Sequence, residues 1–440
     1  AHMDWILAAL ALFNITSMIT IHRDRTSKRI VPPWSLFAYS LITSELAWLW
    51  LPTQVSLALL LWMMGATSSF LGNIAMIALA ISWIPLAKSV RQAFAAEQLT
   101  ETALRRALGN NYQSTLPEDV QRKLENHSSF DDWRRPFHMS RPDVEVLKNI
   151  PYGPGGIRQE LDIYRPKHLL AEGCPVLLQI HGGAWMMGSK DHQALPLMHY
   201  MASKGWICVA INYRLSPSVG FPTHLQDCKR ALAWIRNQGS AYGMNPDFVA
   251  VTGGSAGGHL TALMGLTENR ADLQPEFPNT DTSVQAVVPF YGVYDFLGRF
   301  DNANRELFVK FANRRVLHQS PEENPELWEL ASPISHLKQD LPPFMIIQGE
   351  IDSLTTVNGA RHFHHELQEA SKQPTVYLEL PGAEHAFDNI HSPRTDPVAK
   401  GAHRFLEWTL AQHRAAQLQS DPESTEKNNT EEAADAELAD

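Results

Sequence analysis

The chain has 440 residues, enough for two or three domains, and its 44% hydrophobic content supplies a large core. A formal net charge of −10 argues against nucleic acid as a partner, since nucleic-acid binders carry basic patches. Three cysteines, Cys174, Cys208 and Cys228, form no Cys-x-x-Cys pair and point to a reducing compartment without a disulfide framework.

At the front, Ala1-His2-Met3 reads as a cloning scar and is set aside. Residues 30–87 contain no lysine or arginine, and Glu45 is the sole acid among them. Three apolar stretches follow one another: Trp5 to Ile21, Trp34 to Gly65 and Phe70 to Leu86. A helix needs about 20 apolar residues to cross a bilayer. The first and third are about long enough. The second is too long for one straight span and is expected to break at Pro52. Arg23, Arg25, Lys28 and Arg29 separate the first two stretches, and Lys88 and Arg91 follow the third. Basic loops stay cytoplasmic. The expectation is a transmembrane region over 4–87 with about three spans, integral to the plasma (inner) membrane, the main domain being cytoplasmic. The competing reading is a buried helical bundle of a soluble protein, favoured by Asn14, Thr16, Ser17 and Glu45. In a membrane, Glu45 should be paired, near a headgroup or facing protein.

Residues 88–144 read as a helical linker or cap, with "RQAFAAEQLTETALRRAL" strongly helical. From about 145 to 414 strands and helices alternate. "LDIYRP", "CPVLLQI", "WICVAINYRL", "FVAVTGG", "VQAVVPFYG", "PPFMIIQGE" and "TVYLELPG" are strand-like, and a helix from Pro397 to about Arg414 closes the domain. This alternation predicts an α/β fold: a mostly parallel sheet with helices on both faces, active residues at the strand carboxyl ends. Residues 415–440 form an acidic tail, with eight acids and one lysine after Gln419, and read as disordered.

The chemistry centres on "VAVTGGSAGGHLTAL", a Gly-x-Ser-x-Gly pattern at Gly253, Ser255 and Gly257. A strand precedes it and a helix follows, so Ser255 must occupy a sharp turn facing the helix N-terminus. No Gly-x-Gly-x-x-Gly or Gly-Lys-Ser/Thr is present to make it a phosphate loop. A serine nucleophile needs a base, and the base an orienting acid, in the order Ser, Asp or Glu, His. "IIQGEIDSLT" offers Asp352, with Glu350 as rival, and "LELPGAEHAFD" offers His385, with Glu384 and Asp388 as weaker rival acids. "IHGGAW" (180–185) follows an earlier strand where an oxyanion loop belongs. Tyr291 and Tyr294 are candidates for the pocket wall or the core. His362 and His365 share a helix face that a metal could use, though a solvated face is the simpler reading.

With "HGGAW", "NYRLSP", "FPTHLQD", "GGSAGGHL", "GEID" and "GAEHAF" in place, residues 145–412 resemble the α/β-hydrolase superfamily, in the branch related to hormone-sensitive lipase and bacterial carboxylesterases. That likeness implies an α/β-hydrolase fold with Ser255 as nucleophile, His385 as base and Asp352 as its partner. It implies an oxyanion hole from the N–H groups of Gly183, Ala184 and Ala256, with Gly182 shaping the loop, and no metal or organic cofactor. Ala184 stands where the lipase branch often has a third glycine. In this the loop is similar to the His-Gly-Gly-x-Trp of arylformamidases and isoprenylcysteine methylesterases, which would place Trp185 at the substrate. The front region is more loosely similar to the anchors of bacterial membrane-bound esterases. The function expected is a serine carboxylic ester hydrolase acting on small-molecule or lipid esters at the bilayer. The alternatives are an amidase or formamidase, and a non-catalytic receptor or scaffold on the same fold.

Overall fold

A computed structural model describes residues 3–21, 34–124, 130–300 and 305–420. The basic cluster at Arg23 to Arg29 and residues 1–2 and 421–440 lie outside the described residues, while 415–420, expected to open a disordered tail, continue the helix Thr395–Ser420.

Among the described residues one sheet has eight strands: β1 (Val144–Pro151), β2 (Glu160–Pro166), β3 (Cys174–Ile180), β4 (Ile207–Ile211), β5 (Met244–Gly254), β6 (Ala286–Phe290), β7 (Phe344–Gly349) and β8 (Thr375–Leu380). Their order is β1-β2-β4-β3-β5-β6-β7-β8. The short 152–159 connection makes β1 and β2 an antiparallel pair, and β2 also runs antiparallel to β4. Every other pairing is parallel. Parallel strands are covered on both faces, and β3, β4, β6 and β7 are buried along their whole lengths. Alternate side chains feed separate cores. Val176, Leu178 and Ile180 join the core with the helices Thr223–Gln238 and Ala256–Leu266, while Leu177 points into the core with the helices Leu195–Ser203 and Thr395–Ser420.

The front region folds as α1 (Met3–Ile21), α2 (Trp34–Glu45), α3 (Ala47–Met63) and α4 (Phe70–Phe94), and α5 (Ala96–Leu108) leads into the sheet domain. At one end of the bundle Ser69 Oγ donates to Asp4 at 2.9 Å. At the other, Met18, Ala47 and Leu86 cluster. So α1 and α4 run parallel, with α3 antiparallel between its short loops. The second apolar stretch does bend, by 78°, but at Leu46 and not at the expected Pro52. Pro52 is carried inside α3, where the Thr53 hydroxyl bonds the Leu49 carbonyl at 2.7 Å and steadies the backbone beside the proline. Next to the turn, Glu45 points into the sheet domain, where it pairs with Arg394.

The bundle buries an apolar cluster of Leu7, Ala11, Ala58, Leu61, Ala75 and Leu79 together with a polar network, and carries apolar side chains on its outside. Asn14, Ser17, Gln54 and Ser82 are buried. Asn14 bonds Ser82, Gln54 donates to Asn14 at 3.0 Å, and Trp83 donates to Gln54 at 2.9 Å. Leu12, Leu59, Trp62, Phe70, Ile77 and Ile84 are each more than half exposed. Phe70–Phe94 is long and apolar enough to cross a membrane, and the bent α2–α3 pair passes the same test as one unit. α1 is a shorter apolar helix.

Candidate active site

β5 delivers Ser255 at its carboxyl end, and the helix Ala256–Leu266 begins at the next residue. Ser255 has φ 60° and ψ −122°, a strained conformation for a residue with a side chain. The turn is held by Ser255 N–H donating to the Phe290 carbonyl at 3.0 Å. Glycine is required on both sides. A Cβ at Gly253 would stand 2.5 Å from the Ile180 carbonyl oxygen, and one at Gly257 would stand 2.1 Å from it. The chain therefore passes β3 at a distance only glycine allows, and Ser255 is lifted out, partly exposed, above the helix N-terminus.

The 181–188 loop follows β3 and lies against this turn. A Cβ at Gly182 would be 3.0 Å from Ser255 Cβ. Gly183, Ala184 and Trp185 all have positive φ, at 122°, 52° and 60°. The loop is fixed from behind. His181 stacks on Tyr213 at 4.4 Å, the Tyr213 hydroxyl donates to the His181 carbonyl at 2.9 Å, and Gly182 N–H donates to Gln193 Oε1 at 2.7 Å. Burial depresses the His181 pKa to about 4, so it is a neutral structural imidazole. With its N–H engaged by Gln193, Gly182 is a shaping residue. Among the described residues, Gly183 and Ala184 donate their N–H groups to no protein acceptor.

Asp352 and His385 meet at the carboxyl ends of β7 and β8. His385 Nδ1 and Asp352 Oδ2 are 2.8 Å apart, both nearly buried. Asp352 Oδ1 accepts the Leu354 and Thr355 N–H groups at 2.9 and 2.7 Å, and Thr355 Oγ1 donates to Oδ2 at 3.0 Å. Burial disfavours the imidazolium. The Asp352 carboxylate, its hydrogen bond and the nearby Glu384 and Asp388 overcome that and hold the His385 pKa above its ordinary value. The rival acids have other partners. Glu350 is exposed and accepts Gly382 N–H at 3.0 Å. Glu384 accepts Ser353 N–H at 2.8 Å and His385 N–H at 2.9 Å, strapping the two loops together. Asp388 accepts the Tyr291 phenol, and burial raises its pKa.

Tyr291 joins the halves of the site. Its ring packs on His385 at 4.5 Å, and its hydroxyl lies where a Cβ on Gly254, next to Ser255, would meet it at 2.7 Å. It is a buried wall between the Ser255 turn and His385. Trp185, expected at the substrate, is in the core instead. Its positive φ turns the indole inward, where it is 2% exposed and donates to His259 Nδ1 at 3.1 Å. Tyr294 is also core, stacked on Phe363 at 4.3 Å. His362 pairs with Glu366 one turn along its helix at 3.7 Å. Of the braces, Glu384 lies in the GAEHAF motif, where it reads only as a rival acid, and Gln193 and Thr355 carry no motif. The one legible sign is the Asp-x-x-Thr spacing at 352–355, which suits an aspartate accepting from the backbone just ahead of it.

Residues 161–367 match the BD-FAE family. The chain is 48% identical over 268 residues to the probable carboxylic ester hydrolase LipM of Mycobacterium tuberculosis, covering 61% of this chain and 62% of that one. It is 40% identical over 314 residues to the esterase LipQ of the same organism, covering 71% of this chain and 74% of LipQ. Thus it spans a little under two thirds of LipM and about three quarters of LipQ. Among solved structures, esterase B of Lactobacillus rhamnosis superposes with a TM-score of 0.55 at 21% identity, over 72% of this chain and 98% of that one, which is a likeness of fold. The eight-stranded order, the Gly-Gly-Ser-Ala-Gly elbow and these relatives agree, and the chain belongs to the α/β-hydrolase family of serine esterases related to hormone-sensitive lipase.

Proposed function

We propose that this protein is a membrane-anchored carboxylic ester hydrolase working through Ser255, His385 and Asp352. The observation that carries the reading is the buried 2.8 Å bond between His385 Nδ1 and Asp352, on loops that Tyr291 connects to the strained Ser255 turn. With Nδ1 bound to Asp352, the other imidazole nitrogen is the base. It takes the Ser255 proton as Oγ attacks the ester carbonyl. The N–H groups of Gly183, Ala184 and Ala256 stabilise the oxyanion, helped by the helix N-terminus at Ala256. His385 returns the proton to the leaving alcohol, and water then releases the acyl group from Ser255 by the same steps in reverse.

The apolar side chains exposed on the bundle's rim support anchoring, and its buried Asn14, Gln54 and Ser82 bond one another as polar groups between membrane helices do. Its helix directions, and Lys88 and Arg91 at the domain end of α4, support the reading of three spans over 4–87 with a cytoplasmic hydrolase domain. Lipid or lipophilic esters are the substrate class that such an anchor serves. The sign that favoured an amide substrate was Trp185, whose indole belongs to the core.

A fluorophosphonate probe on the detergent-solubilised full chain should label Ser255. Ser255→Ala should lose label and ester turnover while melting at the wild-type temperature. Undiminished turnover in Ser255→Ala overturns the mechanism.

A further inference from the structure

The bundle touches the sheet domain at the two loops that carry the acid and the base. Ile351, the neighbour of Asp352, packs on the Met18, Ala47 and Leu86 cluster beside Trp50, Leu51 and Val90. The His385 loop is held more firmly. Glu45 at the end of α2 is fully buried and forms an ion pair with Arg394, also fully buried. Its second oxygen accepts Ser392 Oγ at 2.9 Å. Arg394 reaches on with Nη2 to the Pro381 carbonyl at 3.3 Å, four residues before His385. Ser392 Oγ accepts the Thr395 N–H at 3.0 Å, and Thr395 Oγ1 donates to the Phe387 carbonyl at 2.9 Å, two residues after His385. Gln92 of α4 also lies against Gly382. Both flanks of the loop are therefore tied to one carboxylate contributed by the front region.

The geometry points to Glu45 as a positioning residue for His385, so that the apolar front region supports turnover by contact as well as by location. This rests on the ester hydrolase reading above. A buried pair costs desolvation that its attraction barely repays, so it is weak evidence for stability. Its consequence here is geometric: it fixes the backbone from Pro381 to Thr395, and with it the imidazole.

The test uses the full chain in detergent and a short, soluble p-nitrophenyl ester that does not depend on membrane delivery. Glu45→Gln alone strands a buried guanidinium and is prone to misfold, so the informative variants are the double change Glu45→Gln/Arg394→Met, which removes both charges, and Arg394→Lys, which keeps the pair and drops the arm to Pro381. Each should lower kcat, the double variant by roughly ten- to a hundredfold, as small misplacements of a reacting group do. KM should stay within about twofold, because no substrate contact is lost. The acid limb of kcat/KM should also move to lower pH in the double variant as the His385 to Asp352 bond loosens, with Glu384, Asp388 and Tyr291 unchanged around the ring. A purely structural pair would lower the melting temperature and leave both the limb and kcat per folded, fluorophosphonate-labelled site unchanged. Wild-type kcat and limb in both variants overturn the proposal. Turnover persisting in Ser255→Ala would instead remove the hydrolase reading beneath it.

Discussion

Asp352 and Glu350 stand two positions apart on one loop, and hydrogen bonding separates their roles. Asp352 faces inward to His385 and two backbone N–H groups, while Glu350 faces solvent and steadies Gly382. Asp352→Asn should lower kcat by about four orders of magnitude, because the asparagine amide favours the wrong imidazole tautomer. Glu350→Gln should cost less than about tenfold, an exposed contact being worth little. Steady-state kinetics on the two variants decides between the carboxylates. The pH dependence follows from the raised His385 pKa. The base acts when neutral, so activity rises with pH through that pKa, and its midpoint should lie above the ordinary 6.5. In Asp352→Asn the carboxylate that favours the imidazolium is gone, and the midpoint of the residual activity should fall. The placement of Ser255, Asp352 and His385 after the ends of β5, β7 and β8 was legible in the sequence because each follows an apolar run. Trp185 misled because a residue's place in a motif does not reveal the sign of its φ.

The elbow is an element whose sequence and geometry are tightly coupled. Gly257→Ala puts a methyl 2.1 Å from the Ile180 carbonyl oxygen, which is backbone of a central strand and has nowhere to move. The change should destabilise the domain by about 3 kcal/mol, the upper range for overpacking. A thermal melt of detergent-solubilised protein measures it, and a wild-type melting temperature would mean the strand spacing is looser than this. Buried strands such as β3 announced themselves as short apolar runs. β1 did not: "VEVLKNIP" is an edge strand, mostly open to solvent, and its polar composition hides it. The bend at Leu46 was equally hidden. Pro52 is a local breaking signal, whereas the bend lies beside Glu45, whose partner Arg394 is 349 residues away.

At the scale of the whole molecule the two regions differ in their outer surfaces. The hydrolase domain buries its apolar side chains around the sheet, and the bundle turns Leu12, Leu59, Ile77 and Ile84 outward over an Asn14, Gln54 and Ser82 centre. The sequence carried the apolar stretches but not this arrangement, because the polar residues are too few to set a period. The protein should stay with the membrane pellet through an alkaline carbonate wash and be released only by detergent. Asn14→Leu should weaken the bundle by about 1 kcal/mol, in keeping with interhelical hydrogen bonds in lipid. In oriented vesicles the hydrolase domain should be digested only when the cytoplasmic face is exposed.

The bundle's grip on Ile351 and Gly382 sets the carboxyl ends of β7 and β8 beside the end of α4 from which the domain hangs. With the anchoring proposed above, the enzyme would meet a lipophilic ester as a solute in two dimensions. Its rate should then follow the mole fraction of ester in the surface and not the amount per volume. Adding inert detergent to mixed micelles at constant total ester should slow the wild-type enzyme, while hydrolysis of a water-soluble ester in the same tube continues unchanged.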